Sequence, residues 1–413
     1  MKRINPLLSL LFLAIVFASC TKSNVKPNPG KGIDLVLSST EQQNATADNA
    51  FTLNLFKTVK ASDNSGSNLF MSPLSVSFAL GMTSNGANGE TLSAINNTLG
   101  FGGFTEDEVN GYYKKLLTDL PKLDPQTTLN IANSIWYNQS FNVLPQFLST
   151  NTNYFNAKIQ PLDFANPASL STINNWVNDQ TNGKIPTIIS DLSNDEKMVL
   201  VNAIYFKSTW NTKFDASQTA KQSFYLPDQS TLQTDFMHCD KITYNIYKDD
   251  NVRVIELPYS NSKYSMVIVS PLNGGSLDNL VSNIDASAWG NWTSKLAPTN
   301  GPVVMPKFKF SYSILLNNAL SSMGMGNAFS GAADFTRINA GGGLTISKVQ
   351  HKAFVAVDET GTEAAAATGV VVGATAVLNP PTVTIDHPFL FVIREMKTGL
   401  ILFEGTMNNP LQN

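Results

Sequence analysis

The chain has 413 residues and a formal net charge of −3, with 42% of its residues apolar and only 14% charged. That is the composition of an ordinary globular protein long enough for a large core, and length alone allows two or three domains. No run of Lys and Arg tracks a phosphate backbone, so nothing points to nucleic acid as a partner.

The first twenty residues read as an address. Lys2 and Arg3 precede an apolar run from Leu7 to Phe17, and Ala18, Ser19 and Cys20 follow. This is the pattern of an export signal, too short for a convincing membrane span. Ending on Cys20, it resembles the bacterial lipobox, which implies cleavage after Ser19, lipidation of the thiol, and a membrane partner held through that lipid alone. Phe17 stands where an aliphatic residue is usual, and a plain signal peptide with an incidental cysteine is the other reading. Residues 20 to 40, rich in Asn, Ser, Pro, Gly and Lys, have the composition of a flexible tether. The organisation is then a signal peptide at 1–19, a tether at 20–40 and one domain at 41–413. Thr21 after the anchor cysteine favours outer-membrane or cell-surface placement, by analogy with bacterial sorting. Cys239 is left without a disulfide partner and reads most simply as a small buried residue.

Further along, Phe51, Leu55 and Val59 recur at helical spacing. Ser72 and Pro73 open a second helix, the serine as N-cap and the proline in the first turn, where its missing N–H does no harm. Gly89 to Leu99, closed by Gly100, makes a third helix, with two more expected at 105–118 and 169–182. Strand character marks Leu129–Tyr137, Val199–Lys207, Val252–Leu257, Tyr264–Ser270, Val303–Phe310 and His351–Val357. Three β runs end the chain at Thr382–Ile385, Phe389–Arg394 and Leu400–Thr406. With no fixed-period repeat and no second linker, one mixed α+β domain is expected.

Enzyme chemistry is hard to find. His238, His351 and His387 are isolated, and none opens an H-E-x-x-H, so no metal site is expected. There is no G-x-S-x-G elbow and no phosphate-binding glycine loop, Gly324-Met325-Gly326 lacking the third glycine, so no cofactor is expected either. A Ser/His/Asp triad assembled from distant residues has nothing pointing to it.

The stretch from Glu359 to Leu378 stands out instead. After its first acids it carries no charge until Asp386. Read with period two, one face is Thr362, Ala364, Ala366, Thr368, Val370 and Val372, and the other is Glu363, Ala365, Ala367, Gly369, Val371 and Gly373. Such compact side chains could slide between two existing strands. Alanine-rich runs also favour helix, and an apolar Gly-spaced run can be an ordinary buried strand.

Several motifs in order resemble one family. They are Asn68-Leu69-Phe70-Met71-Ser72-Pro73-Leu74-Ser75; Gly89-Glu90-Thr91; Ile173-Asn174-Asn175-Trp176-Val177 with Thr181 to Ile185; and Asn202 to Lys207 with Trp210. Met323-Gly324-Met325, Ala328-Phe329, Ala333-Asp334-Phe335, His387 to Phe391 and Leu402 to Gly405 complete the set. From about Phe51 to Pro410 the chain resembles the serpins. The resemblance implies an α+β fold of three sheets and about nine helices with an exposed reactive loop, and a single-use inhibitor rather than an enzyme. A peptidase cuts the loop, which inserts as a new strand in the central sheet and drags the acyl-enzyme with it. A strand of about fifteen residues adds ladder hydrogen bonds at roughly 0.5–1.5 kcal/mol each, on the order of 10–20 kcal/mol in all.

By the same resemblance Glu359, Gly361, Thr362, Glu363, Ala364, Ala365, Ala366, Ala367 and Thr368 form the hinge. Ser72, Ser75, Asn202 and His351 match a polar cluster beneath the centre of the sheet, where the strands part, and Trp210 matches a residue at the loop's entry point. Helix capping for Ser72, a satisfied buried imidazole for His351 and core packing for Trp210 are the plain structural alternatives. Counting from Glu359 puts the cut at Thr375-Ala376, whereas counting back from Pro388 puts it at Val377-Leu378. Between Lys352 and Arg394 there is no Lys or Arg. A trypsin-like peptidase therefore finds no anchor, and the expected partner is an elastase-like, subtilisin-like or papain-like endopeptidase preferring small or β-branched residues. A monomer is expected. The alternative function is a non-inhibitory binding or carrier module on the same fold.

Overall fold

The computed structural model describes residues 32–63, 65–363 and 381–412. Cys20, Ala364 to Thr368, and the candidate bonds Thr375-Ala376 and Val377-Leu378 lie outside the described residues. The helices are α1 (Ser39–Ser62), α2 (Pro73–Ser84), α3 (Gly89–Leu99), α4 (Glu106–Asp119), α5 (Pro145–Phe155), α6 (Pro167–Gln180), α7 (Leu277–Asn283), α8 (Ala286–Ser294) and α9 (Asn317–Leu320). The strands are β1 (Leu69–Met71), β2 (Thr128–Asn138), β3 (Lys158–Leu162), β4 (Met198–Thr209), β5 (Asp215–Tyr225), β6 (Thr231–Lys248), β7 (Val252–Pro258) and β8 (Tyr264–Pro271). They continue with β9 (Ala297–Pro306), β10 (Phe308–Leu315), β11 (Gln350–Asp358), β12 (Gly361–Thr362), β13 (Val383–Thr384), β14 (Phe389–Glu395) and β15 (Ile401–Met407).

Local chemistry accounts for many of these limits. Ser38 and Glu41 form a reciprocal capping box at the start of α1, and Thr105 and Glu108 form another at α4. Ser72 caps α2 with Pro73 following, and α3 stops at Gly100, whose φ of +78° suits a residue without Cβ.

Three expectations need correction. The tether does not run free to residue 40: Leu35 is buried, Asp34 pairs with Lys263 and Lys397, and α1 already begins at Ser39. The run Val303–Phe310 is two strands: β9 ends at Pro306, Lys307 lies between, and the chain changes sheets there. Thr382–Ile385 contributes only Val383 and Thr384 as strand.

Six strands form one sheet in the order β10-β11-β12-β4-β2-β3. The other sheet runs β1-β15-β14-β8-β7-β6-β9-β13, with β5 paired to β6. The 18-residue β6 pairs with β5 and β9 along most of its length and with β7 at its end, which makes the second and third sheets of the fold continuous. Aromatic rings fill the space between the sheets: Phe70 stacks on Phe403 at 5.3 Å and on Phe391 at 5.6 Å, and Phe206 and Phe310 approach from the six-stranded side. On that sheet's outer face, Ile173 and Val177 of α6 pack with Trp136, Val201 and Ala203. Among the described residues, no helix is long and apolar enough to cross a membrane and no cluster of side chains could hold a metal ion.

Candidate functional site

The central feature is a slot in the six-stranded sheet. Strands β4 and β11 are neighbours whose only described bridge is the two-residue β12, antiparallel to both. The pairing is Gly361 with Thr209 and Asp358, and Thr362 with Ser208 and Val357. Two strands antiparallel to the same third strand are parallel to each other, so the gap below β12 has room and hydrogen-bonding groups for a longer antiparallel strand. Lower down it opens into a cavity of about 260 Å³ between Val199–Asn202 of β4 and Thr345–His351, with Val76 and Ala79 of α2 beneath.

The hinge is anchored at the top of this slot. Asp358 turns the chain by accepting from Thr360 N (2.8 Å), Thr360 Oγ1 (2.5 Å) and Gly361 N (3.2 Å). Gly361 has a φ of +155°, and a Cβ there would stand 2.0 Å from the Ser208 carbonyl oxygen. Only glycine fits this close passage. The Thr362 side chain points inward, its hydroxyl 2.5 Å from that of Tyr259. Glu363 faces the other way, as period two requires, its carboxylate 3.0 Å from Lys184 Nζ. Burial, followed by the Glu363 carboxylate, pushes the Tyr205 phenol beside it upward. With φ at +56°, Glu363 is an acidic residue held in the left-handed region. The expected exposed loop thus has two of its hinge residues, Gly361 and Thr362, inside the sheet.

Trp210 closes the upper end. Its ring stacks on Tyr259 at 4.6 Å, its Nε1 donates to Asp358 O at 2.9 Å, and its backbone N–H donates to Thr360 O at 2.8 Å. Glu359 pairs with Lys307 at 2.9 Å and accepts from Thr219 Oγ1 at 2.6 Å. Burial raises the Glu359 carboxyl, but those two donors outweigh it and hold the group below its ordinary value.

Beneath the slot, the four residues matched by motif meet. Ser72 N donates to His351 Nε2 at 3.1 Å, Ser72 Oγ donates to Leu402 O at 2.7 Å, and the same oxygen accepts from Ser75 N at 3.2 Å. The Ser75 hydroxyl donates to Asn202 Oδ1, while Asn202 Nδ2 donates to Asn133 Oδ1 at 2.6 Å. The start of α2 therefore clasps β11 through His351 and β4 through Asn202, one on each side of the slot. His351 is wholly buried, and desolvation holds its imidazole down to about 4. A neutral ring accepting at Nε2 carries its proton on Nδ1.

Helix capping and clasping are both done by Ser72, and Trp210 both packs and donates. Tyr259, Asp358, Ser208 and Asn133 carry the site too and had no signal in the sequence, while Lys184 lay in the Thr181 to Ile185 motif without a role assigned to it. Cys239 is buried, and burial pushes its thiol up, which suits packing rather than reactivity.

A family model described as Serpin (serine protease inhibitor) matches residues 46–410. The chain belongs to the serpin family. It is 37% identical to a leukocyte elastase inhibitor of Xenopus laevis over 372 residues, covering 87% of this chain and 97% of that one. Among solved structures, the native state of the thermophilic serpin tengpin is similar with a TM-score of 0.81 and 30% identity, over 91% of this chain and 96% of tengpin. Human thyroxine-binding globulin, solved with its thyroid hormone, is similar with the same TM-score and identity, over 90% of this chain and 100% of its own. In this serpin, β12 lies at the top of the slot between β4 and β11.

Proposed function

We propose that the chain is an inhibitory serpin that traps an endopeptidase by letting the cleaved 359–378 segment enter the slot. The observation that carries this reading is the seat of β12: the segment already runs in the direction an inserted strand must take, antiparallel to both neighbours. Continuing that strand supplies ladder partners to β4 and β11 and releases Glu363 from a left-handed backbone that costs about 1 kcal/mol or more. The compact residues Ala364 to Ala367 would pass between the strands with little displacement.

The absence of Lys and Arg between residues 352 and 394 supports a target that takes small or β-branched residues, elastase-like or subtilisin-like, with papain-like cysteine peptidases also suited. Kinship with a leukocyte elastase inhibitor points the same way. Thr375-Ala376 is the proposed bond and Val377-Leu378 its alternative. We further propose a monomer tethered through lipid on Cys20 at an outer membrane or cell surface. Incubation with neutrophil elastase or subtilisin should give a covalent complex that survives denaturing electrophoresis. Clean cleavage without adduct by every peptidase tried would sink the reading.

A second reading, a carrier without inhibitory action, is favoured by the likeness to thyroxine-binding globulin. Cutting the loop would then leave thermal stability nearly unchanged, whereas insertion raises it by many degrees.

A further inference from the structure

A second cavity, of about 490 Å³, lies on the nine-stranded sheet and shares no lining residue with the slot. Its floor holds Arg253 and Ser270, direct partners in the β7–β8 ladder whose side chains stand on one face. Ser270 is 6% exposed, and its hydroxyl has no hydrogen-bond partner among the described residues. Arg253 Nη2 donates to Thr384 O at 2.7 Å, but its buried Nε donates to nothing described. A serine hydroxyl and a guanidinium edge left unpaired side by side are an unusual pairing, since buried polar groups are nearly always satisfied.

Two cations and two carboxylates line the cavity, and both carboxylates are turned to groups other than Arg253. Lys60 on the rim is paired with Asp278 at 3.0 Å, and Asp386 turns Oδ1 to His387 Nδ1 at 2.7 Å. Among the described residues no carboxylate comes within salt-bridge reach of Arg253, and burial pushes its guanidinium down, with Asp386 opposing from a distance. A partly buried cation without a counterion is held at a free-energy penalty that a bound anion removes. Around this polar floor the walls are Leu226, Pro227, Leu272, Ile385 and Pro388. Apolar walls with a few convergent donors are the make-up of a small-molecule site, and the volume falls in the usual range of about 300–1,000 Å³.

We propose that this cavity binds a small amphiphilic monoanion, a carboxylate or sulfonate on an apolar body, with its anionic group on the Arg253 guanidinium and the Ser270 hydroxyl. The site does not depend on the inhibitory reading and serves equally in a protein that traps peptidases.

The test is fluorescence titration of the full domain with anilinonaphthalene sulfonate, followed by displacement with octanoate, octanol and inorganic phosphate. One saturable site is expected, cleared by octanoate at least tenfold better than by octanol or by phosphate. Arg253→Gln should weaken octanoate binding at least tenfold. Ser270→Leu, which fills the floor without touching the Arg253–Thr384 bond, should abolish it. Absence of saturable binding, equal displacement by octanol or phosphate, or unchanged affinity in both variants would overturn the proposal. If Arg253→Gln unfolds, the Ser270→Leu result decides alone.

Discussion

The hydroxyls of Tyr259 and Thr362 lie 2.5 Å apart, and this contact fastens the first inward hinge residue to the segment that follows β7. Tyr259 is itself locked by stacking on Trp210. Tyr259→Phe keeps the stack and removes the hydrogen bond, leaving a buried threonine hydroxyl unmatched. The seat should weaken by about 1 kcal/mol, which is roughly a fivefold rise in amide exchange at Gly361 and Thr362. Unchanged exchange there would mean that the two hydroxyls do not hold the hinge.

Gly361→Ala is a harsher probe of the same seat. Its Cβ would meet the Ser208 carbonyl oxygen at 2.0 Å and the Thr209 Cα at 2.7 Å, both backbone atoms that cannot step aside. The residue would also be strained at φ +155°. Expulsion of β12 should lower the unfolding free energy by about 2–4 kcal/mol and expose the β4 amides Ser208 and Thr209 to exchange. A variant as stable and as protected as the parent would show that β12 is not seated in solution.

Part of this site was legible in the sequence: serine before proline is a local signal that marks Ser72 as a helix cap, whereas Trp210 and the hinge at Gly361 were reached through the ordered motifs that resemble the serpins. Tyr259 and Asn133 were reached by neither route, since each is brought to the slot by sheet pairing across dozens of residues. Strand β5 was missed for a related reason: its polar, half-exposed residues carry no apolar alternation, and pairing with β6 makes it a strand, whereas the alternation of Ile242, Tyr244 and Ile246 in β6 was legible and went unread. The seat of Gly361 and Thr362 was invisible as well, because it depends on the Ser208 backbone rather than on any side chain.

The clasp beneath the slot should be sensitive to acid. Burial holds His351 at about 4, below its ordinary 6.5, so the unfolded chain takes up a proton that the native state refuses. Stability contributed at neutral pH is therefore lost as pH falls from about 6.5 towards 4. His351→Gln retains an acceptor for Ser72 N–H and cannot titrate. The stability of the parent relative to this variant should drop by about 2–3 kcal/mol between roughly pH 7.5 and pH 4 in urea unfolding. A difference that stays flat with pH would place the proton dependence elsewhere.

Glu404 should act with the opposite sign. It lies wholly buried on β15 between Met71 and Val392, neither carboxyl oxygen has a described hydrogen-bond partner, and burial pushes its pKa well above the ordinary carboxylate range. The native state keeps the proton that the unfolded chain releases above about pH 4.3, so stability falls as pH rises past that point. Glu404→Leu should be more stable than the parent by about 1–4 kcal/mol near neutral pH, with the gain shrinking in acid. A destabilised variant at neutral pH would mean that the carboxylate has a partner worth keeping.

The scissile bond can be moved into view by giving trypsin an anchor. Thr375→Arg and Val377→Arg each introduce the only Lys or Arg between Lys352 and Arg394. Trypsin should cut each variant after the new arginine, yet on the proposed mechanism trapping requires insertion to outrun hydrolysis of the acyl-enzyme. That race depends on how much strand lies between the hinge and the cut. If Thr375-Ala376 is the native bond, Thr375→Arg should form a stable trypsin adduct while Val377→Arg is mostly turned over as substrate. The reverse ranking would assign the bond to Val377-Leu378. Adduct from neither, alongside normal trapping of elastase by the parent, would place the bond at another residue of the stretch. Intact mass of the adduct and of the released C-terminal peptide reads all three outcomes directly.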